Sequence, residues 1–187
     1  MIVQSTELKI GEWLIPEFEL KPGELIGICL YSGAHVWEVY PELIDLLTGR
    51  KMHLGVRLTA PLKWIKRFKE NRFKRVFFPT TVKDYLAKNG KPDPKLLRRI
   101  LEKEKISNTT HMKALNFNSQ KWLTFISMFS QSNQIVFDMM GQDPIGRVYT
   151  LDLVKEFVSQ GGAAIWIDWI EMSGLECTRV YPIERLD

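Results

Sequence analysis

The stretch from Pro22 to Arg50, PGELIGICLYSGAHVWEVYPELIDLLTGR, decides the reading of the chain. Pro22-Gly23 is a turn signal, Leu25 to Leu30 is an almost wholly apolar run of strand length, and Val39 to Thr48 has helical spacing. That helix sets Val39, Leu43, Leu46 and Leu47 on one side, with Gly49 placed to cap its end. Strand, tight loop and helix are the context of a phosphate-binding loop. A working loop ends in Gly-Lys-Ser/Thr, whose lysine reaches the outer phosphates and whose hydroxyl holds magnesium. Here Val36 and Trp37 stand in those places. The frame is present without its chemistry.

Upstream, residues 1–21 alternate loosely and are broken by Gly11 and Pro16, which predicts two or three short antiparallel strands. Downstream, Met52 to Leu58 reads as a strand. Lys63 to Arg75 is the most basic part of the chain, with Trp64, Ile65, Phe68 and Arg72 at helical spacing. It reads as a surface helix anchored by aromatics, with a nucleic-acid patch or an anionic-lipid contact as the sharper alternatives. Val76 to Pro79 is expected to be a strand, and Thr80-Thr81 to cap a helix through Val82, Tyr85 and Leu86. Further helices are expected over Lys95–Lys105, Asn118–Ser130 and Arg147–Gln160. Strands are expected over Gln134–Asp138, Ala163–Ile167 and Thr178–Ile183. Such alternation argues for a mainly parallel sheet flanked by helices.

At 187 residues and a formal charge of +4, the chain suits one soluble domain. Mild basicity permits an anionic partner and requires none. No apolar run is long enough to span a bilayer and no secretory signal precedes the first strand. Cys29 and Cys177 offer no disulfide framework and read as reduced, buried thiols. His35, His53 and His111 are scattered, without metal-ligand spacing, so no metal or cofactor is expected. Ser32-Gly33 lacks the Gly-x-Ser-x-Gly turn of a hydrolase nucleophile. Asp138, at the carboxyl end of its strand, reads as a hydrogen-bonded structural carboxylate or as a magnesium anchor.

In order and framework the chain resembles the nucleotide-binding subunit of an ATP-binding cassette (ABC) transporter, a P-loop NTPase-like α/β fold. FELKPGELIGICL is similar to the family's strand entering the phosphate loop, and LIDLLTGR to the helix leaving it. Phe78 to Leu86 resembles the entry to the family's helical subdomain. Leu115-Asn116-Phe117-Asn118-Ser119 lies where the Leu-Ser-Gly-Gly-Gln signature belongs, followed by a helix and the strand ending at Asp138. Gly141-Gln142-Asp143-Pro144 resembles the Gly-Leu-Asp-Pro loop that faces a partner subunit. Gly161 to Trp169 resembles the strand ending in the switch histidine, and Thr178 to Tyr181 the Asp-Arg-Val of the closing strand. The resemblance implies one domain: core α/β parts at residues 1–56 and 116–187, an antiparallel β part at the N-terminus, and a reduced helical subdomain over about 57–115.

The departures fall on the chemistry. Of the loop glycines only Gly33 remains, with Leu30 and His35 at the other two positions. Val36 replaces the lysine, and Trp37 the hydroxyl, where an indole would fill a phosphate pocket. Asp138 keeps a carboxylate, but Met139 replaces the glutamate that would activate water. Trp169, or Asp168 one residue earlier, replaces the switch histidine. In the signature, Asn116 and Phe117 replace serine and a glycine, and Asn118 and Ser119 complete a motif without its glutamine. Phosphoryl transfer depends on positioning and charge stabilisation, which these replacements remove.

The expectation is therefore a catalytically inactive ABC-type subunit, structural or regulatory in a membrane transport complex, cytoplasmic and peripheral at the inner face of the membrane. Its expected partners are a membrane permease, another ABC ATPase-type subunit, or both, and any dimer should be nucleotide-independent. Trp64, Lys66, Arg67, Phe68, Arg72 and Phe73 are the candidate docking residues. The alternatives are an active or nucleotide-sensing ATPase with an atypical site, and a basic nucleic-acid-binding adaptor.

Overall fold

Four short strands open the chain rather than two or three: β1 (Val3–Ser5), β2 (Leu8–Ile10), β3 (Trp13–Ile15) and β4 (Phe18–Leu20). The computed structural model describes residues 1–30, 36–169 and 176–186, and Val36 by its backbone alone. After β5 (Leu25–Cys29) and α1 (Val36–Leu47) come β6 (Val56–Leu58) and β7 (Lys63–Trp64). Next follow α2 (Arg72–Phe77), α3 (Val82–Asn89), α4 (Pro94–Glu104), a 3-10 turn at Met112–Ala114 and α5 (Phe117–Phe129). The chain closes with β8 (Gln134–Phe137), α6 (Pro144–Ser159), β9 (Ala163–Asp168), β10 (Arg179–Pro182) and β11 (Glu184–Arg185).

The long apolar runs form a five-stranded sheet in the order β10-β5-β9-β8-β7, and each neighbouring pair is parallel. Every residue of β5 and β9 is buried, which is why both read as continuous apolar runs without alternation. The remaining strands make two small antiparallel sheets, β4-β1-β6 and β11-β3-β2. The fold is thus α/β, with a parallel sheet, flanking helices and an antiparallel part.

Contacts divide the chain into two compact units: residues 1–64, 133–140 and 151–187, and residues 65–132 and 141–150. The first holds all three sheets, α1 and the later turns of α6; the second holds α2 to α5 and the start of α6. Helix α5 therefore groups with the other helices, whereas the sequence-based boundary near residue 115 puts it in the α/β core. In the first unit Ile26, Ile28, Val39, Leu43, Leu47, Ile165 and Ile167 lie in one buried cluster. Each fully buried aliphatic side chain there contributes about 1.5–3 kcal/mol.

Three local expectations change. Helix α1 begins at Val36 rather than Val39, which places Pro41 inside it and leaves the Trp37 carbonyl without an i+4 amide. Lys63 to Arg75 is not one helix. Lys63 and Trp64 pair with Ile135 and Val136 as an edge strand, Ile65 is buried, and Asn71 caps a new six-residue helix by accepting from Lys74 N at 2.8 Å. That cap also overrides the strand expected over Val76 to Pro79: Phe78 N donates to Lys74 O at 2.8 Å, so Val76 and Phe77 end α2. By contrast, Thr81 does cap α3, in a reciprocal capping box with Asp84.

Both cysteines are buried thiols. Arg179 pairs with Ile26 and Pro182 with Cys29, so the register puts Cys177 level with Glu24 and the thiols at opposite ends of the β5–β10 ladder, about 16 Å apart along it. No disulfide spans that distance. Burial pushes the Cys177 thiol up to about 12.

Candidate functional site

Two carboxylates end adjacent strands at the carboxyl edge of the parallel sheet, where α/β folds place their ligands. Phe137 is level with Trp166, so Asp138 falls beside Ile167, next to Asp168. On the other side Cys29 pairs with Asp168, and Leu30 N donates to Asp168 O at 2.7 Å. Leu30, the residue after β5, therefore lies at this same edge. Gly33 and His35 lie outside the described residues, as does the Val36 side chain.

Helix α1 returns beneath the edge. Its buried face runs through Val39, Tyr40, Leu43, Ile44 and Leu47, and Tyr40 is the polar member of that stripe. The Tyr40 hydroxyl donates to Asp138 Oδ2 at 2.5 Å, and Met140 N donates to Asp138 Oδ1 at 3.1 Å. Asp168 is served likewise. Its Oδ2 accepts from Met139 N and from Trp166 Nε1, both at 3.2 Å, and its Oδ1 accepts from Trp169 N at 2.9 Å. Both carboxylates are buried, and a buried charge is tolerated where donors surround it. Burial, with the charge of Asp138 adding to it, raises the Tyr40 phenol far above its ordinary range. The phenol therefore stays protonated and remains a donor.

Of the other expected site residues in this unit, Met139 is fully buried, a thioether with no proton to give or take. Trp37 is 66 % exposed, which corrects the expectation that its indole fills a pocket. The indole instead lies 6.5 Å from the Trp169 ring, tilted at 52°. No group of three or more His, Cys, Asp or Glu side chains is placed to hold a metal among the described residues.

The signature-like residues lie in the second unit, where they start α5. Asn116 Oδ1 accepts from Ser119 N at 2.8 Å, and Glu104 Oε2 accepts from Ser119 Oγ at 2.7 Å and Asn116 Nδ2 at 3.0 Å. Phe117 lies under the Arg67 guanidinium, 4.8 Å from its ring centre. Asn118 Nδ2 donates to Asp143 Oδ2 at 2.8 Å, while Asp143 Oδ1 accepts from Gly146 N at 2.7 Å and so caps α6. A Cβ at Gly146 would fall 2.2 Å from Asn118 Oδ1, so any larger residue there must displace the Asn118 amide. These polar groups are committed to holding helix ends.

The candidate docking residues differ in exposure. Trp64, in the first unit, is half-buried edge-on to Tyr40 at 6.4 Å and carries Arg50 over its ring at 5.3 Å. In the second, Phe68 is half-buried edge-on to Tyr85 at 5.6 Å. Lys66, Arg67, Arg72 and Phe73 are exposed. Sequence reasoning missed Tyr40 and Glu104. A tyrosine on the otherwise apolar stripe of the helix leaving the loop was a signal for the first; no pattern marked the second.

No protein-family model matches the chain, and no curated protein matches its sequence. Solved structures do. An ABC transporter ATP-binding protein from Pyrococcus furiosus superposes with a TM-score of 0.70 at 13 % identity, over 97 % of each chain. An ATP-binding subunit of an ABC transporter gives 0.67 at 13 %, over 100 % of this chain and 91 % of that one. The cbiO1 protein of Clostridium perfringens, part of the ABC transporter complex cbiONQ, gives 0.66 at 15 %, over 98 % and 84 %. At such identities the likeness establishes architecture, and the chain has the fold of ABC transporter ATP-binding subunits.

Proposed function

We propose that this chain is an inactive ABC-type ATPase-like subunit with a structural or regulatory role in a membrane transport complex. The observation that carries the reading is the donation of the Tyr40 hydroxyl to Asp138 Oδ2 at the carboxyl edge of the sheet. A magnesium-binding site of this type needs a carboxylate turned to the metal's water, a hydroxyl at the head of the helix and a lysine before it. Here Asp138 receives Tyr40 and Met140 N, Trp37 stands at the hydroxyl position and Val36 at the lysine position. Met139 stands where the water-activating carboxylate belongs. The residues present do not fit Mg-ATP.

The same reading extends to assembly. The serine and glycine that a partner's γ-phosphate would meet are replaced by Asn116 and Phe117, so the chain completes no site for a second subunit. Its partners are a membrane permease, another ATPase-type subunit, or a copy of itself joined without nucleotide, and it works at the inner face of the membrane. No helix among the described residues is long and apolar enough to cross a membrane, which accords with a peripheral subunit. Phosphate release by the purified chain in Mg-ATP tests the proposal. The expected rate equals that of buffer alone; turnover abolished by Asp138→Asn would overturn it.

A further inference from the structure

The segment 71–78 of the second unit is exposed throughout, and α2 has no buried residue. Phe73, Val76, Phe77 and Phe78 are 64, 68, 62 and 71 % exposed. They are not scattered. The Phe73 ring lies 4.9 Å from Phe77 and 6.3 Å from Phe78, so three rings make one apolar patch of the kind that marks an interaction site. The patch is held firmly from below. Lys113 Nζ donates to Arg75 O at 2.9 Å, and Glu70 Oε1 accepts from both Thr80 N (2.8 Å) and Thr80 Oγ1 (2.5 Å).

Its surroundings are cationic. From Lys63 to Arg75 there are seven lysines and arginines against one carboxylate, Glu70, and that carboxylate is turned to Thr80. This excess is larger than the net +4 of the whole chain, so the remainder of the chain is net acidic. No ion pair among the described residues engages Lys69, Arg72, Lys74 or Arg75.

We infer that Arg72–Phe78 docks on an anionic lipid surface, with Phe73, Val76, Phe77 and Phe78 entering the interfacial layer and Lys69, Arg72, Lys74 and Arg75 meeting lipid phosphates and carboxylates. Charge complementarity selects an anionic occupant. Exposure along the whole of α2 selects a bilayer over a peptide, because a projecting turn offers no groove for partner side chains. A nucleic acid would satisfy the cations but leave Val76 and the packed rings uncovered. A membrane interface takes both: aromatic rings settle at headgroup level and cations gather at an anionic leaflet. The assignment is independent of the nucleotide reading.

Co-sedimentation of the full chain with phosphatidylcholine vesicles, with and without phosphatidylserine, is the test. Binding is expected to the anionic vesicles only, and to weaken as salt rises. Each cation near the surface is worth about fivefold in affinity, so Arg72→Gln/Lys74→Gln/Arg75→Gln should weaken binding about a hundredfold. Phe77→Ser/Phe78→Ser should weaken it at least about tenfold. All five side chains are exposed, so thermal midpoints should hold in both variants. Absence of vesicle binding at low salt, equal binding to neutral vesicles, or undiminished binding by either variant would overturn the proposal. So would an oligonucleotide bound in place of vesicles, or retention on a detergent-solubilised membrane protein without any affinity for lipid.

Discussion

Tyr40→Phe removes the phenol that reaches Asp138 at the carboxyl edge of the sheet. The phenyl ring keeps its place in the α1 stripe and its edge-on packing with Trp64 at 6.4 Å, so little packing is lost. What disappears is the 2.5 Å donation to Asp138 Oδ2, together with the phenol's contact with the Trp64 indole, while Met140 N still serves Oδ1. A hydrogen bond to a charged acceptor contributes about 1.5–3 kcal/mol. At about 2–4 °C per kcal/mol for a chain of this size, the thermal midpoint should fall by roughly 3–12 °C. Asp138→Asn retains an acceptor for the phenol and should be milder. The double-mutant cycle with Asp138→Ala then gives a coupling energy of about 1.5–3 kcal/mol. Urea unfolding of the four proteins followed by circular dichroism measures it. A coupling within about 0.3 kcal/mol of zero would refute the claim that Tyr40 and Asp138 act as a unit.

Further outcomes follow from the second unit and from the loop. Gly146→Ala should destabilise by about 1 kcal/mol, because its Cβ would displace Asn118 from Asp143; in an Asn118→Ala background the same change should be neutral or stabilising, as alanine is ordinarily favoured in a helix. The Asp143 carboxyl is held below its ordinary value by Gly146 N and Asn118, and that of Asp84 by the Thr81 hydroxyl and amide. Their stabilisation is complete above the ordinary aspartate value of 3.8 and lost as pH falls through the lowered values. Urea midpoints should therefore drop in acid, and Thr81→Ala should blunt the drop; a midpoint that rises on acidification would contradict this. Val36→Lys alone should confer no ATP affinity in equilibrium dialysis, because Trp37 still occupies the position of the metal-binding hydroxyl.

The parallel sheet was legible because strands buried on both faces leave continuous apolar runs, as in Leu25–Cys29 and Ala163–Asp168. Helix α3 was legible because Thr81 and Asp84 write its start locally. The basic run misled because helical spacing of Trp64, Ile65 and Phe68 competed with a strand pairing to Ile135 and Val136 from far along the chain, which no local pattern reveals. Val76 to Phe78 misled because β-branched and aromatic residues favour strands, while one asparagine cap at Asn71 decided for helix. The candidate site was half legible. On the proposed reading, the lysine and hydroxyl positions fall on residues 36 and 37, and Asp138 is legible from its place after an apolar run. That the carboxylate is taken by Tyr40 depends on how α1 returns beneath the sheet, and tertiary placement of that kind leaves no motif.

Calorimetric titration of the full chain with Mg-ATP tests the central claim most directly. With Asp138 bound by Tyr40 and the lysine and hydroxyl positions held by Val36 and Trp37, the account predicts dilution heat alone, with and without magnesium. A saturable isotherm of micromolar affinity that requires magnesium and is lost in Asp138→Asn would contradict it.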